Sequence, residues 1–228
     1  MGRHTTGKNA ILEAWLQTGL PMPTQSQLYA AMAVACHESG YGTGWTGAMA
    51  GSNNWGAVQA GPPPCVDGYS ILWKDSHPDG TEYERCFRAF ATPAEGALNT
   101  LKTLFINHNR STVFEAARRG NMRAFAEAMH DSSYYEGRGV TVQERVAGYA
   151  KGLWFCYREA IKETGEPECF NLDTDFGVPT PEPIVLPFIG MVAGGLTAQE
   201  LRNRLFVASA GGLLGVAAYE VYRMLAGK

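Results

Sequence analysis

Four segments of this chain read as helix starts, each a threonine followed three residues later by glutamine or glutamate just ahead of a run with helical spacing. The four are Thr24-Gln25-Ser26-Gln27, Thr92-Pro93-Ala94-Glu95, Thr141-Val142-Gln143-Glu144 and Thr197-Ala198-Gln199-Glu200. In such a pair the threonine hydroxyl accepts from the third helical N–H while the longer side chain reaches back to the threonine N–H, so two orphan donors of a helix start are satisfied at once. A chain punctuated this way is expected to be mainly helical. After the first signal, Leu28, Ala31, Met32, Ala35 and Cys36 fall on one face, predicting a buried helix from Gln25 to about Ser39. The second, with Pro93 at the first helical position, predicts a helix ending near Phe105. Two shorter helices are predicted over 112–119 and 122–130, separated by the stop and new cap of Gly120-Asn121. The third signal opens a long helix in which Val146, Tyr149, Leu153, Cys156, Tyr157 and Ile161 keep helical spacing.

One stretch breaks the helical pattern. Between Tyr69 and Phe90 two strand-like runs, 70–75 and 82–89, flank His77-Pro78-Asp79-Gly80, and Asp-Gly between such runs favours reversal. The fold class is therefore mainly α, of α+β type, with one β-hairpin lobe and a C-terminal hydrophobic helix.

Three regions follow from composition: a domain over 1–164, a proline-rich linker over 165–183, and a hydrophobic anchor segment over 184–228. Residues 205–219 carry no charge, and Gly211 and Gly215 make a small-residue step suited to close helix packing. Fifteen residues are short for a bilayer, which asks for roughly 20. The stretch 205–225, opening on Leu205 and closing on Leu225, is expected to contact a membrane or a virion assembly. The first ten residues lack the apolar run of a secretory signal.

Net charge is −3, and the nineteen basic residues are scattered, so nucleic acid is not an expected partner. Among five cysteines no C-x-x-C pair occurs, and neither a metal site nor a cofactor is expected. Cys65 and Cys86 flank the hairpin, and both a disulfide and two reduced, buried thiols fit that placement.

Glu38 stands where the first capped helix runs into Gly40. Taken alone, a glutamate at a helix end is an ordinary solvated residue. Its neighbours are not ordinary. Glu38-Ser39-Gly40-Tyr41-Gly42 is followed by Ser52-Asn53-Asn54-Trp55-Gly56-Ala57-Val58-Gln59, then by Cys86-Phe87-Arg88-Ala89-Phe90 leading into Thr92-Pro93-Ala94-Glu95. Phe125-Ala126-Glu127-Ala128, Tyr134-Tyr135-Glu136 and Tyr149-Ala150 complete the series. Together these segments, spanning residues 25–161, resemble the lysozyme-like glucosaminidases of glycoside hydrolase family seventy-three, which include flagellar-rod muramidases and autolysins.

The resemblance implies a lysozyme-like fold, no cofactor, and cleavage of peptidoglycan glycan strands, with Glu38 as the acid that protonates the leaving glycosidic oxygen. It places Ser52, Asn54, Gly56 and Gln59 along the sugar groove, with Trp55 as the aromatic sugar contact. A tyrosine near the acid maps to Tyr135, with Tyr134 next to it, and Tyr149 comes from the last helix. The sequence departs from the family at the second acid, since no glutamate occupies the first hairpin strand. Counting back from Phe87 gives Asp75, with Glu82 and Glu84 on the returning strand as rivals. Without a second carboxylate, lytic cleavage to an anhydro product is an alternative, and a non-catalytic wall-binding or membrane-lesion protein is another. His37 lies about 100 degrees round the helix from Glu38, and adjacent helical residues do not face each other, so Cys36 and His37 form no catalytic dyad.

Overall fold

The computed structural model describes residues 2–107 and 110–171. In chain order the elements are α1 (Arg3–Trp15), α2 (Gln25–Ser39), a 3-10 turn (Gly47–Met49), β1 (Gln59–Gly61), β2 (Ser70–Ser76), β3 (Glu82–Arg88), α3 (Pro93–Phe105), α4 (Ser111–Arg118), α5 (Met122–Asp131) and α6 (Val142–Thr164). Among the described residues six helices and a small antiparallel sheet make an α+β arrangement dominated by helix. The capping signals at Thr24, Thr92 and Thr141 each form in both directions, with Gln27, Glu95 and Glu144 as the returning partners. The fourth signal, the end of the proline-rich stretch and the segment 205–225 lie outside the described residues, and among those described no helix is long and apolar enough to cross a membrane.

The sequence gives α2 one apolar face, but the helix is buried on every side: residues from Leu28 to Ala35 are fully inaccessible to solvent. α6, α1, α4 and α3 all pack on it. Four alanines at 30, 31, 33 and 35 make this enclosure feasible, because small side chains let neighbouring backbones come close. The helix ends at Gly40, which adopts φ 56° and returns its N–H to Cys36, while Tyr41 N–H donates to Ala35. Glu38 is thereby placed in the last turn of this deeply buried helix.

α1 has no counterpart in the sequence reading. Its residue before the first turn, Gly2, supplies no side-chain cap. Glu163 from the end of α6 does so instead, accepting from Thr5 N at 2.8 Å and Thr5 Oγ1 at 3.0 Å. The backbone hydrogen bond from Thr5 lowers the Glu163 pKa below its ordinary value. Gly7, which weakens the helix locally, is required by packing: a Cβ there would lie 2.5 Å from the Tyr41 ring. Trp15 anchors the other end, its ring 5.3 Å from Phe105 and its indole N–H on the Pro21 carbonyl at 2.8 Å.

The sheet has three strands in the order β1-β3-β2. β2 and β3 pair from Ser70↔Arg88 to Ser76↔Glu82, as the hairpin signal predicts. β1 is the addition, joined to β3 through Gln59↔Phe87 and Gly61↔Cys86 across a register shift. A disulfide links Cys65 to Cys86, which decides between the two cysteine readings. Behind the sheet, α3 presses so closely on the loop before β1 that a Cβ at Gly96 would stand 1.8 Å from the Asn53 carbonyl oxygen.

The proline-rich stretch does not leave the helices at Gly165. Cys169 and Phe170 donate their N–H groups to the Tyr157 hydroxyl at 2.7 and 3.1 Å, and Phe170 is buried. Asn171 N–H donates to Gly120, and Met122 N–H donates back to Asn171.

Candidate active site

A groove of about 860 Å3 runs between the helices and the sheet, and Glu38, Asp75, Tyr134, Tyr135 and Tyr149 all line it. Each is delivered by a different device. Glu38 comes from the last turn of α2 and Tyr149 from the second turn of α6. Asp75 comes from β2, where alternation decides which side chains face the groove. Asp75, Trp73, Tyr83 and Phe87 share the inward face, whereas Glu82 and Glu84 point the other way, Glu82 pairing with Lys74 at 2.9 Å. Of the three hairpin carboxylates weighed from the sequence, only Asp75 borders the groove.

Glu38 is only partly open to solvent, and burial pushes its carboxyl up to about 7 from an ordinary 4.5. A hydrogen bond from the Tyr149 hydroxyl to Glu38 Oε1 opposes the rise, because it favours the charged form, and the Asp75 carboxylate adds to it by repulsion. Asp75 sits in the opposite kind of environment. Its Oδ2 accepts from Gln59 Nε2 at 2.6 Å and from the Tyr83 hydroxyl at 3.3 Å, and Oδ1 accepts from Ser76 N–H at 2.8 Å.

The tyrosines divide their work differently from the reading that favoured Tyr135 beside the acid. Tyr135 donates its hydroxyl to the Ala126 carbonyl at 3.0 Å and offers only its ring, stacked 3.7 Å from the Tyr149 ring with 12° between planes. Tyr134 donates to the Gly56 carbonyl at 2.9 Å. Tyr149 is the phenol on Glu38, and burial followed by the nearby Glu38 charge keeps it protonated well above the ordinary tyrosine range. His37, off to the side as its helix position predicts, sets its ring edge-on to Tyr149 at 5.0 Å.

The loop matched to the sugar groove is also split. Gly56 and Gln59 border the groove, but Ser52, Asn54 and Trp55 lie beneath it. Asn54 is fully buried and clamps the loop, accepting from Val58 N–H at 2.9 Å and donating to Val58 O at 3.0 Å. Ser52 takes Phe90 N–H on its carbonyl. Trp55 is only 4% exposed and packs edge-on against Tyr41, so it is a core residue and not a sugar platform. Trp45 and Trp73 are the tryptophans that line the groove wall.

No family model matches the chain, and no curated protein matches it. Solved structures do. A peptidoglycan hydrolase from Sphingomonas sp. A1 aligns over 68% of this chain and 88% of its own, at 16% identity and a TM-score of 0.46. The glycoside hydrolase domain of FlgJ from Salmonella typhimurium aligns over 68% and 84%, at 19% identity and 0.42. The catalytic domain of the autolysin Auto from Listeria monocytogenes aligns over 73% and 89%, at 14% identity and 0.45.

Several groove residues carry no sequence motif. Tyr83 was recoverable, since it sits opposite Asp75 once the hairpin register is known. Arg110, His130, Arg138 and Arg145 were not, because they come from loop ends and helix turns that only the packing brings together. Arg138 reaches the hairpin tip, donating to Ser76 Oγ at 3.1 Å, and Gly139 N–H meets the Pro78 carbonyl at 3.4 Å.

Proposed function

We propose that this protein cleaves the glycan strands of bacterial peptidoglycan by glycoside hydrolysis, with Glu38 as the general acid. The observation that carries the reading is a carboxyl held near pKa 7 at the wall of a groove large enough for several sugar rings. A glycosidic oxygen leaves only if it is protonated as its bond breaks, and an acid with a pKa near the working pH combines a populated protonated form with a real tendency to donate. Tyr149 occupies Oε1, which leaves Oε2 to carry the transferred proton. Asp75, oriented by Gln59 and Tyr83, is the second carboxylate, activating water or steadying positive charge at the anomeric carbon. Trp45 and Trp73 present aromatic faces for sugar rings, and Gly56 and Gln59 supply polar backbone and side-chain contacts. The sequence resemblance names the polymer as peptidoglycan.

Lytic cleavage is the alternative within this chemistry, and the presence of Asp75 in the groove favours hydrolysis over it. Mass spectrometry of digested wall separates the two, since the lytic product lacks one water. Residues 205–225 are proposed to hold the enzyme to a membrane or virion, which flotation of the full chain with lipid vesicles tests. The central test is Glu38→Gln, which keeps shape and removes the acid: wall clearing is expected to fall by about 10³-fold. Equal clearing by wild type and variant overturns the glycosidase reading and leaves a wall-binding protein in its place.

A further inference from the structure

Arg110 is the most buried arginine of the groove. It lies between α3 and α4, is only 5% exposed, and lines the groove together with Asn107, Ser133 and Tyr134. Arg145 of the groove lies only partly buried, and two other arginines meet carboxylates, Arg118 on Glu115 and Arg158 on Glu168. Among the described residues none is paired with Arg110, whose neighbours are neutral. One guanidinium nitrogen donates to Ser132 Oγ at 2.9 Å, the Tyr134 ring lies 5.4 Å from its carbon, and Nε is buried with no partner. Burial lowers its pKa below the ordinary guanidinium value, with only Tyr134 opposing.

A buried cation without a counter-charge is costly, and a guanidinium is the side chain whose planar fork best matches a carboxylate. Tyr134 ties this cation to the reaction centre, since it holds Arg110 against its ring and bonds to Gly56, whose own edge borders the groove that Glu38 enters. A plain sugar chain has nothing to neutralise it. Peptidoglycan does, because its muramic acids bear short peptides with carboxylates.

We propose that Arg110 is the receptor for a carboxylate of that peptide, making the enzyme selective for peptide-bearing glycan. The inference rests on the peptidoglycan reading above. It predicts that the wild-type chain binds a muramyl peptide with free carboxylates at least about 10-fold more tightly than the same peptide with its carboxylates amidated, as a charge-assisted hydrogen bond supplies. Calorimetric titration of both peptides into the full chain measures this. Arg110→Gln is expected to abolish the preference and Arg110→Lys to keep only part of it. The ratio of kcat/KM on peptide-bearing glycan to that on peptide-stripped glycan should fall in the same order.

Equal affinity of wild type for the two peptides, or binding of neither, overturns the proposal, as does a preference retained by Arg110→Gln. Should that variant fail to fold, the wild-type preference alone decides. A wild type that prefers the carboxylate form yet releases nothing from wall sinks the glycosidase reading and leaves Arg110's role standing; one that cleaves wall without the preference does the reverse.

Discussion

The helices and the hairpin each bring one carboxylate to the groove, and they treat it in opposite ways. Glu38 grows out of a helix whose central residues are closed to solvent, and its one hydrogen-bond partner among the described residues is a buried phenol. Asp75 sits on a strand that is half solvent-facing, in a lobe that leaves Val66, Tyr69 and Leu72 exposed, and it takes hydrogen bonds from an amide, a phenol and a backbone N–H. Two residues of the same chemical kind are thus given different environments, one that resists charge and one that supplies donors to it. That asymmetry is set by the packing around each group.

Four outcomes would break or sharpen the contrast. The largest concerns the hairpin carboxylates: Asp75→Asn should lower kcat by about 10²-fold, whereas Glu82→Gln and Glu84→Gln, facing away from the groove, should stay within about threefold. Comparable losses for all three would show that strand alternation does not select the partner. Next comes the means by which an exposed lobe is held together. Opening the Cys65–Cys86 link by Cys65→Ser should cost about 3 kcal/mol, because the bridge closes a loop of 21 residues, and thermal unfolding with and without reductant reads it.

A smaller effect tests the burial of Glu38. Its folded pKa of about 7 lies above the ordinary 4.5, so the stability that protonation supplies is present below pH 4.5 and is lost as pH rises through 7. Glu38→Gln never ionises, and at pH 8 it should be more stable than wild type by about 1–3 kcal/mol, discounted for partial solvent access, with little difference at pH 4. In wild type, activity should decline as pH rises through about 7, since the acid form is consumed. The smallest change is Tyr149→Phe. It removes a hydrogen bond that stabilises the charged form, so the alkaline limb of the pH profile should move upward while kcat falls only several-fold. A downward shift would mean that the phenol acts on the neutral acid instead.

The sequence was most informative where the determining forces are local. Thr24, Thr92 and Thr141 each announce a helix start because the cap and the groups it satisfies lie within four residues. The hairpin was legible for the same reason, through alternation and a turn. Glu38 was singled out through a run of neighbours that resembles a known catalytic segment; that it lines a groove and has a raised pKa depends on everything packed around α2. The orientation of two expected site residues is a long-range matter: Trp55 sits in a matched segment but turns inward to Tyr41, and Tyr135 lines the groove but gives its hydroxyl to Ala126.

By itself, then, the chain determined where helices begin, where the strand pair turns and which glutamate ends the central helix, because each of these is settled by contacts a few residues apart. Tertiary structure alone decided that Glu163 would cap α1 from the far end of α6, that β1 would join the sheet, that Tyr149 would be the phenol on Glu38, and that Arg110 would be buried at the groove with no carboxylate partner among the described residues. Those outcomes join residues up to 158 positions apart, and no local pattern encodes which distant side chain will fill a given space.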